Sequence, residues 1–403
     1  MSGVLIKAIL LGVPLGILIG RPLAARLRPW MGQWSYLLIG PLGFGLAMLL
    51  LWVVPPGILA YLISLIIMAS IFSVFSLGLN VHWGYTGLFN IGIAGFFAIG
   101  AFTSALFTKA MPTGTAAIYT KQAFGLELPF LVGVLAAAVV SGVIAFLIGF
   151  PTLRLREDYL AIATIGIAEI IRLIFQSERW LANGPQPLRG IPRPLYCLFQ
   201  DPPCEWLPQS VRAWLEPLKP TDYNFFYLLI VVLFVGLIYL AIERAIRSPW
   251  GRVLRAIREE ETSTAMSGKS ILSFRMQSLV VGAMIMGIGG ALYAHYMVSI
   301  DYAHFTPLYG TFIIWVMLML GGSGNNRGAI LGAFVIWGVW VGTTFLTDLV
   351  NPLLEAISPA LPARSPYIRY LLIAILLEVI LLWRPQGILG EEKRVSTLLE
   401  EKG

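Results

Sequence analysis

Ile58-Leu-Ala-Tyr-Leu-Ile-Ser-Leu-Ile-Ile-Met-Ala-Ser-Ile-Phe-Ser-Val-Phe-Ser-Leu-Gly-Leu79 decides the fold, because it carries no charge and has the length of about 20 apolar residues that crosses a bilayer as a helix. Its continuation, Asn80-Val-His-Trp-Gly-Tyr-Thr-Gly-Leu-Phe-Asn-Ile-Gly92, is polar and rich in glycine, and a second apolar run begins directly after it. The reading is all-α: a polytopic transmembrane helical bundle of about 10 to 11 spans with glycine-rich interrupted segments.

Outward from that stretch the pattern repeats. The chain has 403 residues, 58% hydrophobic and 12% charged, a balance that one water-soluble core could not hide. Candidate spans lie near 4–20, 36–54, 58–79, 91–108, 129–150, 159–175, 223–242, 276–298, 306–322, 328–347 and 367–383. Met1 to Gly20 has Lys7 and an apolar stretch but no small-residue cleavage site, so it reads as an uncleaved first span.

The net charge of +7 is dealt out between apolar runs and forms no aromatic-interleaved basic patch, so no nucleic acid is expected as a partner. Arg21, Arg26 and Arg28, then Arg154 and Arg156, then Arg244 through Arg275, then Arg327, then Arg384, Lys393 and Arg394 fall on one side by alternation. By the positive-inside rule that side is the cytoplasm, which puts the C-terminus inside. A re-entrant Asn80 to Asn90 would change the parity.

Within the largest inward loop, Ser248 and Pro249 suit an N-cap and a first helical position, and Trp250, Val253, Leu254 and Ile257 recur with helical spacing. The spacing predicts a short amphipathic helix. Its polar positions include Arg258 and Glu261, and Gly268 closes the segment. The apolar face needs a cover, which could be the lipid interface, the chain's own helices or a cytosolic protein. Ser267-Gly-Lys-Ser270 has the tail of a phosphate-binding loop, but Ser263 stands where the motif's first glycine belongs, so the chain is expected to bind no nucleotide cofactor itself.

Glycines gather in two places, Gly84, Gly87, Gly92, Gly95 and Gly100 in the first half and Gly321, Gly322, Gly324, Gly328 and Gly332 in the second. Such clusters mark either a midplane solute path at corresponding interruptions or close helix packing. Gly12, Gly16 and Gly20, Gly328 and Gly332, and Gly338 and Gly342 read as packing pairs. Candidate path residues are Gly84, Gly87, Asn90, Glu169, Arg172, Gly322 and Gly324. Glu169 and Arg172 are ionisable groups within a span and can pair at i, i+3, while Glu378 is expected to meet a polar group on another helix. His82, His295 and His304 are too scattered for a metal site and receive no role. Cys197 and Cys204 lie in an outward segment where a disulfide is expected. No catalytic constellation stands out.

Taken in order, Asn80 to Gly92, Asp158-Tyr-Leu-Ala-Ile-Ala-Thr-Ile-Gly-Ile-Ala-Glu-Ile-Ile-Arg172, Asn183-Gly-Pro-Gln-Pro-Leu-Arg-Gly-Ile-Pro192, Gly251-Arg-Val-Leu-Arg-Ala-Ile-Arg-Glu-Glu-Glu261, Gly289-Gly-Ala-Leu-Tyr-Ala294, Leu320-Gly-Gly-Ser-Gly324 and Arg384-Pro-Gln-Gly-Ile-Leu389 resemble the LivM-type permeases of branched-chain and neutral amino acid ABC importers. The extra N-terminal spans and the Cys197 to Cys204 insert are similar to a cyanobacterial neutral amino acid subgroup. The resemblance implies extra spans at 1–57, a permease domain at 58–390 with an extracytoplasmic loop at 176–222 and a coupling loop at 243–275, and a cytoplasmic tail at 391–403. It also implies an inner-membrane location, a LivH-type permease partner, two cytosolic ATPase subunits that hold the ATP and magnesium, and a periplasmic solute-binding protein.

Trp250, Val253, Leu254, Ile257, Arg258, Glu261 and Gly268 then look like an ATPase-coupling helix. Thr262-Ser-Thr264 replaces the Glu-Ala-Ala that ABC importers place six residues before the loop glycine. Two alternatives carry the same spans: a permease for urea or short amides, and an ion-coupled secondary carrier.

Overall fold

The computed structural model describes residues 11, 52–53, 55–199 and 220–391. The expected spans near 4–20 and 36–54, the packing set Gly12, Gly16 and Gly20, Cys204 and the tail beyond 391 lie outside or almost wholly outside the described residues. The chain divides into two compact units, one of residues 1–68 and 192–237 and one of residues 69–191 and 238–403.

Among the described residues, seven helices are long and apolar enough to cross a membrane. We label the helices α1 (Pro56–Leu79), α2 (Ile93–Thr108), α3 (Phe130–Thr152), α4 (Glu157–Ser177), α5 (Tyr223–Arg247), α6 (Pro249–Glu259), α7 (Glu261–Met266), α8 (Ile271–Met297), α9 (Ile313–Gly321), α10 (Asn326–Ile357) and α11 (Ile368–Trp383). The only sheet among them is a two-residue antiparallel pair, β1 (Leu188–Arg189) with β2 (Ser299–Ile300). The all-α membrane reading holds, and each expected span from 58 onward falls on a helix.

Several boundaries differ from the sequence reading: α10 runs on to Ile357 where the sequence places the end of the span near 347, α5 continues to Arg247 and α8 begins at Ile271. The first helix does not stop at Leu79 but continues through a π turn, Asn80–Gly84, and the chain turns non-helical only at Gly87. Gly87 has φ +73°, a conformation that side chains with a Cβ resist, and its amide and that of Leu88 close the helix end on the carbonyls of Trp83 and His82. At the other interruption a π turn, Leu308–Phe312, leads into α9, and Gly322 with φ +112° ends it. Helix α2 has 16 residues, about 24 Å at 1.5 Å per residue, which is less than the roughly 30 Å hydrocarbon core. Both α2 and the stretch Leu308–Gly321 are apolar helices shorter than a full straight crossing.

In the smaller unit the Tyr223 hydroxyl donates to the Pro194 carbonyl at 3.0 Å, and Arg193 lies over the rings of Tyr196 and Tyr223. In the larger unit α2, α3 and α8 form the centre. Lipid is as apolar as leucine, so helices there associate through close contact and polar bonds rather than burial from water. A Cβ on Gly100 would run into the Gly287 carbonyl, and one on Gly290 would come within 2.5 Å of the Phe97 carbonyl, so α2 and α8 touch backbone to backbone. Phe97 adds aromatic contacts to Phe75 (4.4 Å), Tyr293 (4.9 Å) and Phe305 (4.8 Å).

The packing expectation for glycine pairs holds at Gly328 and Gly332, which meet Gly321 and Met317. It fails at Gly338 and Gly342, where nothing lies within 4 Å of an added Cβ. Identical spacing on one helix is used at one end and open at the other.

Candidate functional site

The non-helical backbone at 87–92 is buried between helices, so its polar groups need partners that lipid cannot supply. They have them: the Asn90 amide donates to the Leu88 carbonyl at 2.9 Å, that of Ile91 to Thr164 Oγ1 at 3.1 Å, that of Gly92 to Asn90 Oδ1 at 2.8 Å and that of Ala94 to Thr311 Oγ1 at 3.1 Å. Trp315 Nε1 donates to the Asn90 carbonyl at 3.1 Å. Side chains on α4, α9 and the π turn before α9 therefore substitute for a helix ladder.

His82, given no role on sequence grounds, is wholly buried at the centre of this arrangement. Its Nε2 lies 3.0 Å from the Leu279 carbonyl, which can only accept, so Nε2 carries the proton and Nδ1 receives the Asn90 amide at 3.1 Å. Beside it Thr86 and Ser278 join at 2.7 Å, and the Ser278 hydroxyl lies 3.0 Å from the Val81 carbonyl.

A second set of bonds links the two interruptions. Asn80 Nδ2 donates to Asn326 Oδ1 at 3.0 Å, and the Gly324 amide donates to Asn80 Oδ1 at 2.9 Å. Asn326 Nδ2 in turn reaches Glu243 Oε2 at 3.1 Å. Gly84 and Gly324 abut, since an added Cβ on Gly84 would lie 2.6 Å from the Gly324 nitrogen. Gly322 faces the carbonyl of Leu389 rather than the other path candidates. Residues of the network border two small clefts: a polar one of about 50 Å³ lined by Tyr85, Glu243, Arg255, Asn326 and Glu391, and an apolar one of about 10 Å³, room for no more than a water, lined by Asn90, Thr164, Phe96 and Leu279.

Glu169 and Arg172 are not brought into this network. Arg172 Nε donates to both carboxylate oxygens at 3.0 and 2.9 Å, and its guanidinium lies over Tyr302. Neutralising one partner strands the other in a membrane span, which costs at least about 2.5 kcal/mol on insertion scales. Glu169→Gln is therefore expected to lower thermal stability in detergent more than Glu169→Gln combined with Arg172→Gln; additive losses would contradict the self-neutralised pair. Glu378 is exposed on α11, and the expected contact with another helix is not formed among the described residues.

The amphipathic helix is present as α6, with Ser248 at its N-cap and Pro249 at its first position. Ser248 does not cap through its side chain, which donates back to the Ala245 carbonyl at 2.6 Å. The apolar face is covered by the chain itself: Leu254 and Ile257 are 0% and 3% exposed, Val253 is half-buried, and half-buried Trp250 donates to Gln277 at 2.9 Å. Of the three covers that periodicity allows, the chain's own helices supply this one. Glu261 pairs with Arg275 at 2.9 Å, and Gly268, with φ +78° and open space around it, turns the chain after α7. What remains outward is the far side of α6 and α7, where Met266 is 85% exposed.

A carboxylate at position 254 would be buried without a partner. Leu254→Asp is expected to cost about 3 kcal/mol or more, read as rapid proteolysis within 248–268; resistance equal to wild type would show that the face is not needed for the fold.

Sequence reasoning missed both sets of bonds, His82 with Asn90 and Thr164 with Ile91 in one and Asn80 with Asn326 in the other. The available signal was the presence of amides, a hydroxyl and an imidazole inside or beside otherwise apolar runs. Among the described residues no three His, Cys, Asp or Glu side chains gather to hold a metal.

Seven long apolar helices, with buried polar bonds at the interruptions between them, define a multi-pass membrane protein. No solved structure matches the chain. The chain belongs to the family of permease components of branched-chain amino acid transport systems, whose model matches residues 61–381. It is 32% identical over 323 residues to the high-affinity branched-chain amino acid transport permease LivM of Escherichia coli, covering 79% of this chain and 68% of that one. It is 28% identical over 360 residues to a probable LivM permease of Methanocaldococcus jannaschii, covering 85% and 97%. The guanosine ABC transporter permease NupQ of Bacillus subtilis is more distant, 24% identical over 326 residues, covering 79% and 90%.

Proposed function

We propose that this chain is the inner-membrane permease subunit of an ATP-driven ABC importer for branched-chain or neutral amino acids. Its LivM relatives support that solute class, and the structural observation that fits a transport role is the set of buried polar bonds joining the two interruptions. ATP and magnesium belong to two cytosolic ATPase subunits, a LivH-type permease completes the membrane part, and a periplasmic protein delivers the solute. The C-terminus is cytoplasmic.

The ATPase docks on the outward side of α6 and α7, around Met266, and not on the apolar face of α6. Met266→Asp is expected to keep a folded permease while losing ATPase co-elution from detergent extracts; retained co-elution would move the docking surface elsewhere. Uptake of labelled leucine, proline, urea and guanosine in a deletion strain tests the solute. Loss confined to leucine and proline supports the reading, and loss of guanosine uptake alone would favour the class of the more distant relatives.

A further inference from the structure

Arg258 lies on α6, where helical spacing makes it one polar residue among several. Its guanidinium instead gathers three separate segments. Nη1 donates to the Gly84 carbonyl, Nη2 pairs with Glu391 Oε2 at 2.7 Å, and an added Cβ on Gly324 would stand 3.1 Å from Nη1. The stem lies over Gly87, whose added Cβ would be 3.2 Å from Arg258 Cγ.

Each contact has a reason. Gly84 lies in the last turn of the first broken helix, and the Leu88 amide that would normally reach its carbonyl bonds to His82 instead, so Arg258 satisfies a terminal acceptor. Gly324 lies in the second interruption and gives its amide to Asn80. Glu391 follows the segment whose Ile388 and Leu389 amides donate to the Leu320 and Gly321 carbonyls at 2.9 and 3.0 Å. A planar fork reaches these acceptors together, which a lysine point charge does not. Because Leu254 and Ile257 anchor α6 from below, a tilt of α6 carries the guanidinium with it.

We propose that Arg258 is the positioning residue through which displacement of α6 reaches both helix interruptions. This rests on the reading of α6 and α7 as the segment that an ATPase moves. The fork converts a tilt at the cytoplasmic surface into a pull on the Gly84 carbonyl, and Gly84 abuts Gly324, whose amide is bonded to Asn80.

The test uses the full permease with its partner subunits in proteoliposomes, measuring labelled leucine accumulated per ATP hydrolysed. Arg258→Lys and Arg258→Ala are expected to lower that ratio about tenfold, within the usual range of coupling between sites, while the subunits still co-elute; Arg258→Ala also lowers the melting temperature, because the Gly84 carbonyl loses its donor. A purely structural role would lower melting temperature and leave the ratio intact, which overturns the proposal. Should Arg258→Ala fail to assemble, Arg258→Lys decides: a wild-type ratio in an assembled complex overturns the fork, and a lowered ratio upholds it. A wild-type complex that accumulates leucine without hydrolysing ATP overturns the importer reading and this inference together, an outcome visible before any variant is made.

Discussion

Gly100→Val is expected to be among the most damaging single substitutions in the described chain. The side chain would enter the carbonyl of Gly287 and the backbone around it, and a helix backbone gives way far less than the end of a flexible side chain. Overpacked cores lose about 1 to 3 kcal/mol and occasionally more. The rigid obstacle places this case at the upper end, about 3 kcal/mol or beyond. Separating α2 from α8 also disturbs Gly290 against Phe97 and the aromatic contacts of Phe97. The measurement is the monodisperse fraction and melting temperature in mild detergent. Gly338→Ala is the matched control, because open space surrounds that position and replacing glycine inside a helix by alanine is neutral or gains up to about 1 kcal/mol. Equal behaviour of the two variants would mean that α2 and α8 do not meet through these glycines.

The second large effect is expected at Asn80, and it concerns transport more than folding. Asn80→Ala leaves the Gly324 amide and the Asn326 side chain without their buried partner. Each unsatisfied buried group costs about 1 to 3 kcal/mol, and both losses fall where the two interruptions meet. Uptake of labelled leucine should fall by at least about tenfold, the equivalent of 1.4 kcal/mol, with the protein still inserted in the membrane. Asn80→Asp separates the two bonds, since a carboxylate still accepts from Gly324 but cannot donate to Asn326. A loss at least as large as that of Asn80→Ala is expected, because a buried charge then faces Asn326 Oδ1. Uptake within twofold of wild type for Asn80→Ala would remove the bond from any account of the solute path.

How much of this was legible beforehand differs from residue to residue. Runs such as 58–79 and 129–150 announce themselves because a membrane span is a local property of length and apolarity, and α6 shows itself through its spacing from Trp250 to Ile257. The π turn at Asn80–Gly84 could not be read, because its geometry is set by neighbours and not by its own propensity. His82 looked isolated for the same reason: its partners, Asn90 and the Leu279 carbonyl, include one 197 positions away. The Glu169 and Arg172 pair was legible as a pair, since i, i+3 is local, yet its separation from the network was not.

By itself the sequence determined that this chain is all-helical, lives in lipid, breaks its spans at two glycine-rich places and carries one short amphipathic segment between spans. Those properties depend on which residues stand next to or one turn from one another. Only the tertiary structure decided that Asn80 joins Gly324 and Asn326, that α6 buries its apolar face in its own chain, and that Gly328 packs while Gly338 faces open space. Periodicity fixes which face of a helix is apolar or small, but what covers that face is settled by segments far away along the chain.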